Sequence, residues 1–181
     1  NTPCVACGAG FYSAAGQTTC TECAAGQTDL DSNPNSQCVS CSPGDYMAAQ
    51  STGACQACPA GKEDDDDDPS TDCVQCASGR HSFAGSTSCT PCAAGEYDHD
   101  ASNADSASTE CDSCAAGQYS AAGSTSCTDC VAGRYVSTSG NDDASDCIEC
   151  DVGRFSDQSG RTAASTCTHC VYGQYQGSPG S

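Results

Sequence analysis

The residues of this sequence that could do chemistry are its cysteines, which fall into ten Cys-x-x-Cys pairs. The pairs are Cys4/Cys7, Cys20/Cys23, Cys38/Cys41, Cys55/Cys58, Cys73/Cys76, Cys89/Cys92, Cys111/Cys114, Cys127/Cys130, Cys147/Cys150 and Cys167/Cys170. Three chemistries use such pairs: zinc binding by thiolates, dithiol redox exchange and structural disulfide bonding. The distance between successive pairs matches zinc-ribbon spacing, so five four-thiolate zinc sites are one interpretation. A redox pair needs a helix N-terminus that lowers the thiol pKa, and ten copies would serve no purpose.

The composition favours disulfides over zinc. The 181 residues include 20 cysteines and 19 glycines, but only one leucine, one isoleucine and one methionine, and no tryptophan. Such a chain cannot bury enough aliphatic surface to offset the entropy lost when it becomes ordered. Its formal net charge of −19 also disfavours sites with four negative thiolates at their centre. A disulfide scaffold formed in an oxidising compartment is the interpretation that fits best.

The same charge limits the partners of the chain. Its 24 acidic residues against five basic ones would repel nucleic acid and anionic lipid and would attract cations. No apolar run approaches the roughly 18 residues that a membrane span requires, so membrane insertion is not expected. The sequence begins at Asn1 and shows no signal peptide, from which we expect a mature protein or a segment of a longer one.

A fixed pattern follows the cysteines. Glycine stands three residues after the second cysteine of every pair, and an aromatic residue comes two positions later in seven of the ten repeats. These are Tyr12, Tyr46, Tyr97, Tyr119, Tyr135, Phe155 and Tyr175, whereas Thr28, Glu63 and His81 take the same place elsewhere. The recurrence indicates a tandem array. We expect positive φ at the glycines and short hairpins around the Tyr-Ser and Ser-Thr-Ser segments. The aromatic ring should cover the neighbouring disulfide and glycine; a surface row of sugar-binding tyrosines is the alternative.

The loops between pairs alternate, which predicts a longer unit of two repeats. Odd-numbered loops are small and neutral, as in GRHSFAGSTSC, whereas even-numbered loops are acidic, as in GKEDDDDDPSTDC. Five double repeats follow, at residues 1–37, 38–72, 73–110, 111–146 and 147–181, the last with an incomplete final repeat. The predicted fold class is small and disulfide-rich: an elongated tandem-repeat rod with short β-hairpins and turns and no large hydrophobic core.

The acidic loops suggest a cation site. Oxygen ligands two residues apart can converge on one hard cation, as they do in calcium-binding loops. The candidate ligands are Asp29, Asp31, Asn33, Asp64, Asp66, Asp68, Asp98 and Asp100. The hypothesis is weak, millimolar binding of calcium, without an EF-hand pattern. The alternative is an acidic surface that is only solvated.

The remaining polar side chains give no sign of an active site. The three histidines, His81, His99 and His169, are isolated in the sequence, and no nucleophile or phosphate-binding motif is present. Four of the five bases share the position after the repeat glycine, where they could face a neighbouring acidic loop; they are Lys62, Arg80, Arg134 and Arg154. No N-linked glycosylation sequon is present, but the many serines and threonines could carry O-linked sugars.

The motif C-x-x-C-x-x-G-x-Y-S-x-x-G-x-T-x-C, complete at residues 111–127, resembles the cysteine-rich repeats of ephrin receptors and tumour necrosis factor receptors. It looks closest to ephrin-receptor-like arrays in surface proteins of algae and other protists, including those of flagellar hairs (mastigonemes). The resemblance extends from Cys4 to Tyr175. It specifies the repeat type, since such repeats serve as receptor ectodomains, spacers and filament subunits alike.

The resemblance implies a serial pairing, in which the second cysteine of each pair bonds the first cysteine of the next. The implied disulfides are Cys7–Cys20, Cys23–Cys38, Cys41–Cys55, Cys58–Cys73, Cys76–Cys89, Cys92–Cys111, Cys114–Cys127, Cys130–Cys147 and Cys150–Cys167. Each would stabilise the fold by about 3 kcal/mol by restricting the unfolded chain. A rival pairing, Cys4–Cys20 with Cys7–Cys23 and so on, would close five separate modules.

Serial pairing leaves Cys4 and Cys170 without partners. Two explanations are open at this point. Either Cys170 bonds Cys4 of the next copy, so that the array continues as a covalent fibre, or both partners lie elsewhere in a longer chain.

These observations together predict a non-enzymatic structural protein of the extracellular space or cell surface. The expected role is that of a repeating subunit in a surface filament or flagellar hair, with copies of itself as partners. The alternative is a receptor-type cysteine-rich ectodomain or spacer that binds a protein ligand. In that case the longest loop, residues 93–110, is where a ligand-binding departure from the repeat would lie.

Overall fold

The computed structural model describes residues 4–29, 36–48, 53–99 and 110–175. Regular structure in these ranges consists of nine antiparallel hairpins, each built from two strands of two residues, and two short 3-10 turns. The fold is therefore small and disulfide-rich, a tandem array of short hairpins, as the sequence predicts.

The strands are numbered in chain order. The hairpins are β1 Phe11–Tyr12 with β2 Thr21–Glu22, β3 Gln27–Thr28 with β4 Val39–Ser40, β5 Asp45–Tyr46 with β6 Gln56–Ala57, β7 Lys62–Glu63 with β8 Val74–Gln75, β9 Arg80–His81 with β10 Thr90–Pro91, β11 Glu96–Tyr97 with β12 Asp112–Ser113, β13 Gln118–Tyr119 with β14 Thr128–Asp129, β15 Arg134–Tyr135 with β16 Ile148–Glu149, and β17 Arg154–Phe155 with β18 Thr168–His169. None of the described segments forms a helix that is long and apolar enough to cross a membrane.

The hairpin partner differs from the one expected. The first strand does follow the repeat glycine, but the second lies between the two cysteines of the next pair, so that Tyr119 pairs with Thr128 and Gln118 with Asp129. The Ser-Thr-Ser segment at 124–126 contributes only an isolated bridge, from Ser124 to Tyr97 of the preceding repeat. The cysteines explain the difference, because they hold the two residues between them in an extended conformation beside the first strand.

Nine disulfides join the repeats in series. They are Cys7–Cys20, Cys23–Cys38, Cys41–Cys55, Cys58–Cys73, Cys76–Cys89, Cys92–Cys111, Cys114–Cys127, Cys130–Cys147 and Cys150–Cys167, with Cα–Cα distances of 5.7 to 5.9 Å. This is the serial pairing that the resemblance implies, and the pairing into five closed modules is absent from the described chain. Cys4 and Cys170 are free thiols.

A backbone hydrogen bond accompanies each disulfide. The N–H of the second cysteine donates to the carbonyl of the preceding repeat glycine, as from Cys114 to Gly95 and from Cys130 to Gly117, at 2.9 and 2.8 Å. The same bond recurs in all nine described hairpins. Two-residue strands are not stable alone in water, so the disulfide and this hydrogen bond together hold each hairpin.

Buried side chains are few, and cysteines dominate them. The only cluster of buried apolar side chains in the described ranges comprises Cys130, Val136 and Cys147, with Tyr119 packed against it. Tyr119 thus covers the Cys130–Cys147 disulfide of the neighbouring repeat, as expected for the aromatic position. Phe155 and Tyr175, in contrast, are exposed.

The chain divides into two compact units. The first contains Asn1–Cys76 and Ser82–Cys89, and the second contains Ala77–His81 and Thr90–Ser181. In the second unit, two turns of 3-10 helix, Ala144–Asp146 and Ala164–Thr166, precede β16 and β18. Asp143 caps the first turn by accepting from Ser145 N–H, and Asp146 accepts in return from the N–H of Asp143.

Within each unit, consecutive repeats are joined through their backbones. In the second unit the N–H of Gly117 donates to the carbonyl of Val136, and the N–H of Val136 donates to the carbonyl of Arg161. In the first unit Gly26 N–H likewise donates to Met47, and Met47 N–H donates to Pro69. Each repeat therefore uses its own peptide groups, rather than an apolar face, to hold the next.

The repeat glycines make this contact possible. All ten have φ between 74° and 86°, a conformation that glycine adopts without strain. The backbones also approach closely, since a Cβ atom on Gly79 would lie 2.1 Å from the carbonyl oxygen of Gly123. At Gly79, glycine is required both by its φ angle and by the space available.

Replacing Gly79 with alanine should therefore destabilise the protein more than the same change at Gly153. Both positions have φ near +80°, but a Cβ on Gly153 would meet no atom within 4 Å. We expect Gly153→Ala to cost about 1 kcal/mol from the left-handed backbone alone. Gly79→Ala should cost about 2 kcal/mol more, from overpacking. Thermal unfolding without reductant measures both, and equal losses would contradict the close approach.

Candidate functional site

The hydrogen-bonded contact between one repeat and the next is the most distinctive feature of the described chain. The residue three positions after the repeat glycine lies at the centre of this contact. It is buried in eight consecutive repeats, at Asp29, Met47, Asp64, Ser82, Asp98, Ser120, Val136 and Ser156. In repeats with Met, Ser or Val at this position, its carbonyl accepts the N–H of the preceding repeat glycine, as from Gly133 to Ser156 at 2.9 Å.

Two aspartates change the acceptor from the backbone to the side chain. The Oδ2 atom of Asp64 accepts the N–H of Gly44, and Oδ2 of Asp98 accepts the N–H of Gly79, each at 2.9 Å. Both carboxylates are only about 5% exposed. Each therefore fills a structural position between two repeats, and one of its oxygens is already engaged by a peptide N–H.

The structure separates the proposed calcium ligands. Asp66 and Asp68 lie in an exposed turn, where Oδ1 of Asp66 accepts from Asp68 N–H and from the Thr71 hydroxyl. Asp64, two residues earlier, is buried between repeats. Asp31, Asn33 and Asp100 lie outside the described residues. The described aspartates form no group of three carboxylates that could share one ion, and calcium binding stays a prediction.

The three repeats without an aromatic residue use polar side chains in its place. The Thr28 hydroxyl donates to the carbonyl of Gly53 at 2.6 Å, and the Glu63 carboxylate accepts from the N–H of Cys89. The Nδ1 atom of His81 lies 3.2 Å from Sγ of Cys111. Glu63 and His81 thus reach forward to a first cysteine near the disulfide that an aromatic ring would cover.

One group of metal-ligating atoms occurs in the described chain. His81 Nδ1, Cys92 Sγ and Cys111 Sγ lie within 4.8 Å of one another. Cys92 and Cys111 are joined by a disulfide, however, and a metal ion requires thiolates. While this bond is closed, the group does not constitute a zinc site.

Arg134 and Arg154 contact their own hairpins instead of a neighbouring acidic loop. Arg134 contacts Glu149 at 2.5 Å, directly across its own hairpin, where the two residues are cross-strand partners. Arg154 donates to the carbonyl of Cys167 in the corresponding hairpin. The common sequence position of the bases thus places them on the first strand of a hairpin, and Arg134 faces its partner Glu149 on the second strand.

The first and last described repeats each contain a thiol that forms no disulfide. Cys4 is exposed and Cys170 is partly buried. Cys170 lies in a groove of about 690 Å³ whose other lining residues include Phe155, Gly173 and Tyr175. This groove and the thiol within it are a candidate site for another polypeptide.

Sequence reasoning missed the buried position after the repeat glycine. Its residues in the eight repeats are aspartate, methionine, serine and valine, which share neither charge nor hydrophobicity. Only the fixed offset from the glycine, read across all repeats, could have marked Asp64 and Asp98 as buried residues instead of loop carboxylates.

Replacing Asp98 with serine should preserve the repeat contact. The carbonyl at this position can then accept the Gly79 N–H, as it accepts a glycine N–H at Ser120 and Ser156. We expect a loss below about 1 kcal/mol, whereas Asp98→Arg should cost about 3 kcal/mol because it buries an unpaired charge. Thermal unfolding measures both, with Asp142→Arg as the exposed control of equal charge change. If the serine and arginine variants unfold alike, the backbone cannot replace the carboxylate.

Two exposed carboxylates have lowered pKa values. The Ser70 hydroxyl, and then the Ser70 N–H, lower the pKa of Asp68, whereas the Ser145 N–H, and then its hydroxyl, lower the pKa of Asp143. A carboxylate with a lower pKa in the folded state stabilises that state above the ordinary aspartate pKa of about 3.9. This contribution is lost as the pH falls through the lower, folded-state pKa.

The largest cause of the lowered pKa is a serine hydroxyl at Asp68 and a backbone N–H at Asp143, so removing each serine hydroxyl should have different effects. Ser70→Ala removes the larger contribution at Asp68, whereas Ser145→Ala leaves the larger, backbone contribution at Asp143. Carboxyl-carbon NMR titration should therefore show a larger rise in the pKa of Asp68 than in that of Asp143. The opposite order would contradict the assigned hydrogen bonds.

Comparison with known families agrees with the repeat geometry. Residues 117–167 match the family model described as tyrosine-protein kinase ephrin type A/B receptor-like. A search of curated proteins found no match to the chain. The matched range extends from β13 to the 3-10 turn Ala164–Thr166 and includes the disulfides Cys130–Cys147 and Cys150–Cys167. The same hairpin recurs throughout the described chain. The family match and the serial disulfides together support a relation to the ephrin-receptor-like repeats.

Proposed function

We propose that the chain is a non-enzymatic structural protein of the extracellular space, and that it serves as a repeating subunit in a cell-surface filament or flagellar hair. The observation that supports this most is the hydrogen bond from the repeat glycine N–H to the next repeat, which recurs with the same donor and the same acceptor position. A surface that already binds a copy of itself within one chain is suited to binding a copy in another.

The extracellular location is supported by the disulfides. Nine disulfides persist only where the surroundings are oxidising, as at the cell surface. The ephrin-receptor-like repeats to which residues 117–167 are similar are a non-catalytic ectodomain type, which supports a role without enzymatic activity.

A second candidate is a receptor-type ectodomain or spacer that binds a protein ligand. It is favoured by the family match itself, since the matched family is ephrin type A/B receptor-like. The loop in which the sequence predicts a ligand-binding departure, residues 93–110, is described only up to residue 99 and at residue 110. A receptor would bind a different protein through such a loop, whereas a filament subunit would bind its own kind.

Electrophoresis of the native material distinguishes the two functions. A covalent filament should give a ladder of multimers without reductant and a single monomer band with reductant. Electron microscopy of the same sample should show filaments that reductant disperses. Monomer in both lanes, without filaments, would rule out the proposed filament and favour the receptor or spacer.

A further inference from the structure

Two halves of a hairpin are left unpaired at the first and last described repeats. Val5–Ala6 lies between the cysteines of the first pair, and Gln174–Tyr175 follows the last repeat glycine, yet neither segment is a strand. Every other described segment at these two repeat positions is paired in a hairpin. Val5 is 86% exposed and Tyr175 is 92% exposed. One segment has the position of a second strand, and the other has the position of a first strand.

The groove beside Tyr175 is the place where a further disulfide would lie. In the seventh repeat, Tyr119 packs against the disulfide between the following repeats, Cys130–Cys147. Phe155 has the same place in the ninth repeat, and Cys170 corresponds to Cys130 as the second cysteine of the pair that follows. Phe155 and Cys170 both line the groove of about 690 Å³. Phe155 is exposed and Cys170 is a free thiol in the described chain.

We propose that this groove binds the Cys4–Cys7 segment of a second copy of the chain, as the strand that completes the last hairpin. The inference rests on the proposed filament and specifies the joint between its subunits. The register follows from the other nine hairpins: Tyr175 pairs with Val5, Gln174 pairs with Ala6, and Cys170 bonds Cys4. The N–H of Cys7 then donates to the carbonyl of Gly173, as Cys130 donates to Gly117.

The side chains of the two segments suit this register. In the hairpin of β15 and β16, Tyr135 lies opposite Ile148, so an aromatic residue already faces a β-branched one at this pair of positions. Tyr175 opposite Val5 would repeat this contact, which stabilises antiparallel strands. The joint thereby continues an interface that the chain already forms within itself.

The bond forms by thiol–disulfide exchange, with a low-molecular-weight disulfide such as oxidised glutathione as the oxidant. The Cys170 thiolate attacks oxidised glutathione and forms a mixed disulfide, which releases one glutathione thiolate. The Cys4 thiolate of the second copy then attacks the Cys170 sulfur and releases the second glutathione thiolate. Two thiols are oxidised, one disulfide of glutathione is reduced, and the two protons pass to solvent.

The pattern of hydrogen bonds makes the strand register testable. In an antiparallel pair, residues opposite each other alternate between hydrogen-bonded and non-hydrogen-bonded. Because Cys92 N–H donates to the Gly79 carbonyl, Thr90 is placed to donate to the partner strand and Pro91 is not. Proline at 91, which has no N–H, agrees with this alternation. In the proposed joint, Val5 corresponds to Thr90 and Ala6 to Pro91.

A mixture of two single variants tests the joint. The Cys4→Ser variant retains only the Cys170 thiol, and the Cys170→Ser variant retains only the Cys4 thiol. Neither variant alone can therefore form the Cys4–Cys170 bond. The full chains are mixed in a buffer of reduced and oxidised glutathione, at about 0.5 M salt to screen their like charges. We expect a heterodimer, which peptide mass spectrometry should show to be linked through Cys4 and Cys170.

Two results of this mixture would overturn the proposal. One is the absence of any heterodimer. The other is that each variant alone forms homodimers, linked through Cys4–Cys4 or Cys170–Cys170, in the same yield as the heterodimer. Equal yields would indicate random oxidation of the thiols.

Proline substitutions separate strand pairing from simple thiol contact. Val5→Pro, introduced into the Cys170→Ser variant, should lower the heterodimer yield about ten-fold because one backbone hydrogen bond is lost. Ala6→Pro in the same variant is the matched control and should leave the yield unchanged. Both sites are exposed and outside the hairpins, so the fold of the rest is not disturbed. Equal effects of the two prolines would overturn the proposed register.

Analysis of the native material shows whether the proposed joint alone is wrong or whether the proposed filament function is wrong as well. If native material gives reducible multimers but contains no Cys4–Cys170 peptide, the joint is wrong and the filament stands. If the native peptide pairs Cys170 with a cysteine beyond residue 181 of a longer chain, the second copy is likewise not the partner. A native monomer in both lanes would remove the filament and the joint together.

Discussion

The disulfide between the second cysteine of one pair and the first cysteine of the next is the constraint on which the rest of the structure depends. Strands of two residues have no stability of their own. The bond fixes the ends of each loop and brings two residues of the next pair beside those that follow the repeat glycine. The hydrogen bond from cysteine N–H to glycine carbonyl then sets the register, as it does from Cys130 to Gly117.

The composition of this chain has too few aliphatic residues for an apolar core, and contacts between repeats take its place. The repeat glycine can approach the next backbone because it has no Cβ, and its N–H is accepted by the residue three positions after the following glycine. That residue can be Ser120, Val136 or Asp98, because either its carbonyl or its side chain supplies the acceptor. The chain therefore remains ordered while its side chains are mainly small, polar and acidic.

The sequence predicted the tandem array, the positive φ of the glycines and the packing of Tyr119 because each follows from a fixed residue type at a fixed offset. The pairing of cysteines was not derivable from spacing and came from the resemblance alone. The strand partner was predicted wrongly because strand propensity does not separate Ser124–Ser126 from Thr128–Asp129, which each contain one threonine. The cysteines that flank Thr128–Asp129 place it beside the first strand. Asp64 and Asp98 were grouped with their acidic neighbours because local composition does not reveal burial between repeats.

The serial arrangement of the disulfides has a mechanical consequence. From Cys7 a covalent path crosses to Cys20, runs through Thr21 and Glu22 to Cys23, and crosses again to Cys38, so that every loop lies outside it. A pulling force applied between the two ends would be carried by sulfur bridges and by dipeptides. Proteolytic nicking within a bridged loop would leave the molecule in one piece, and the loops could change in length and charge without weakening the load-bearing thread.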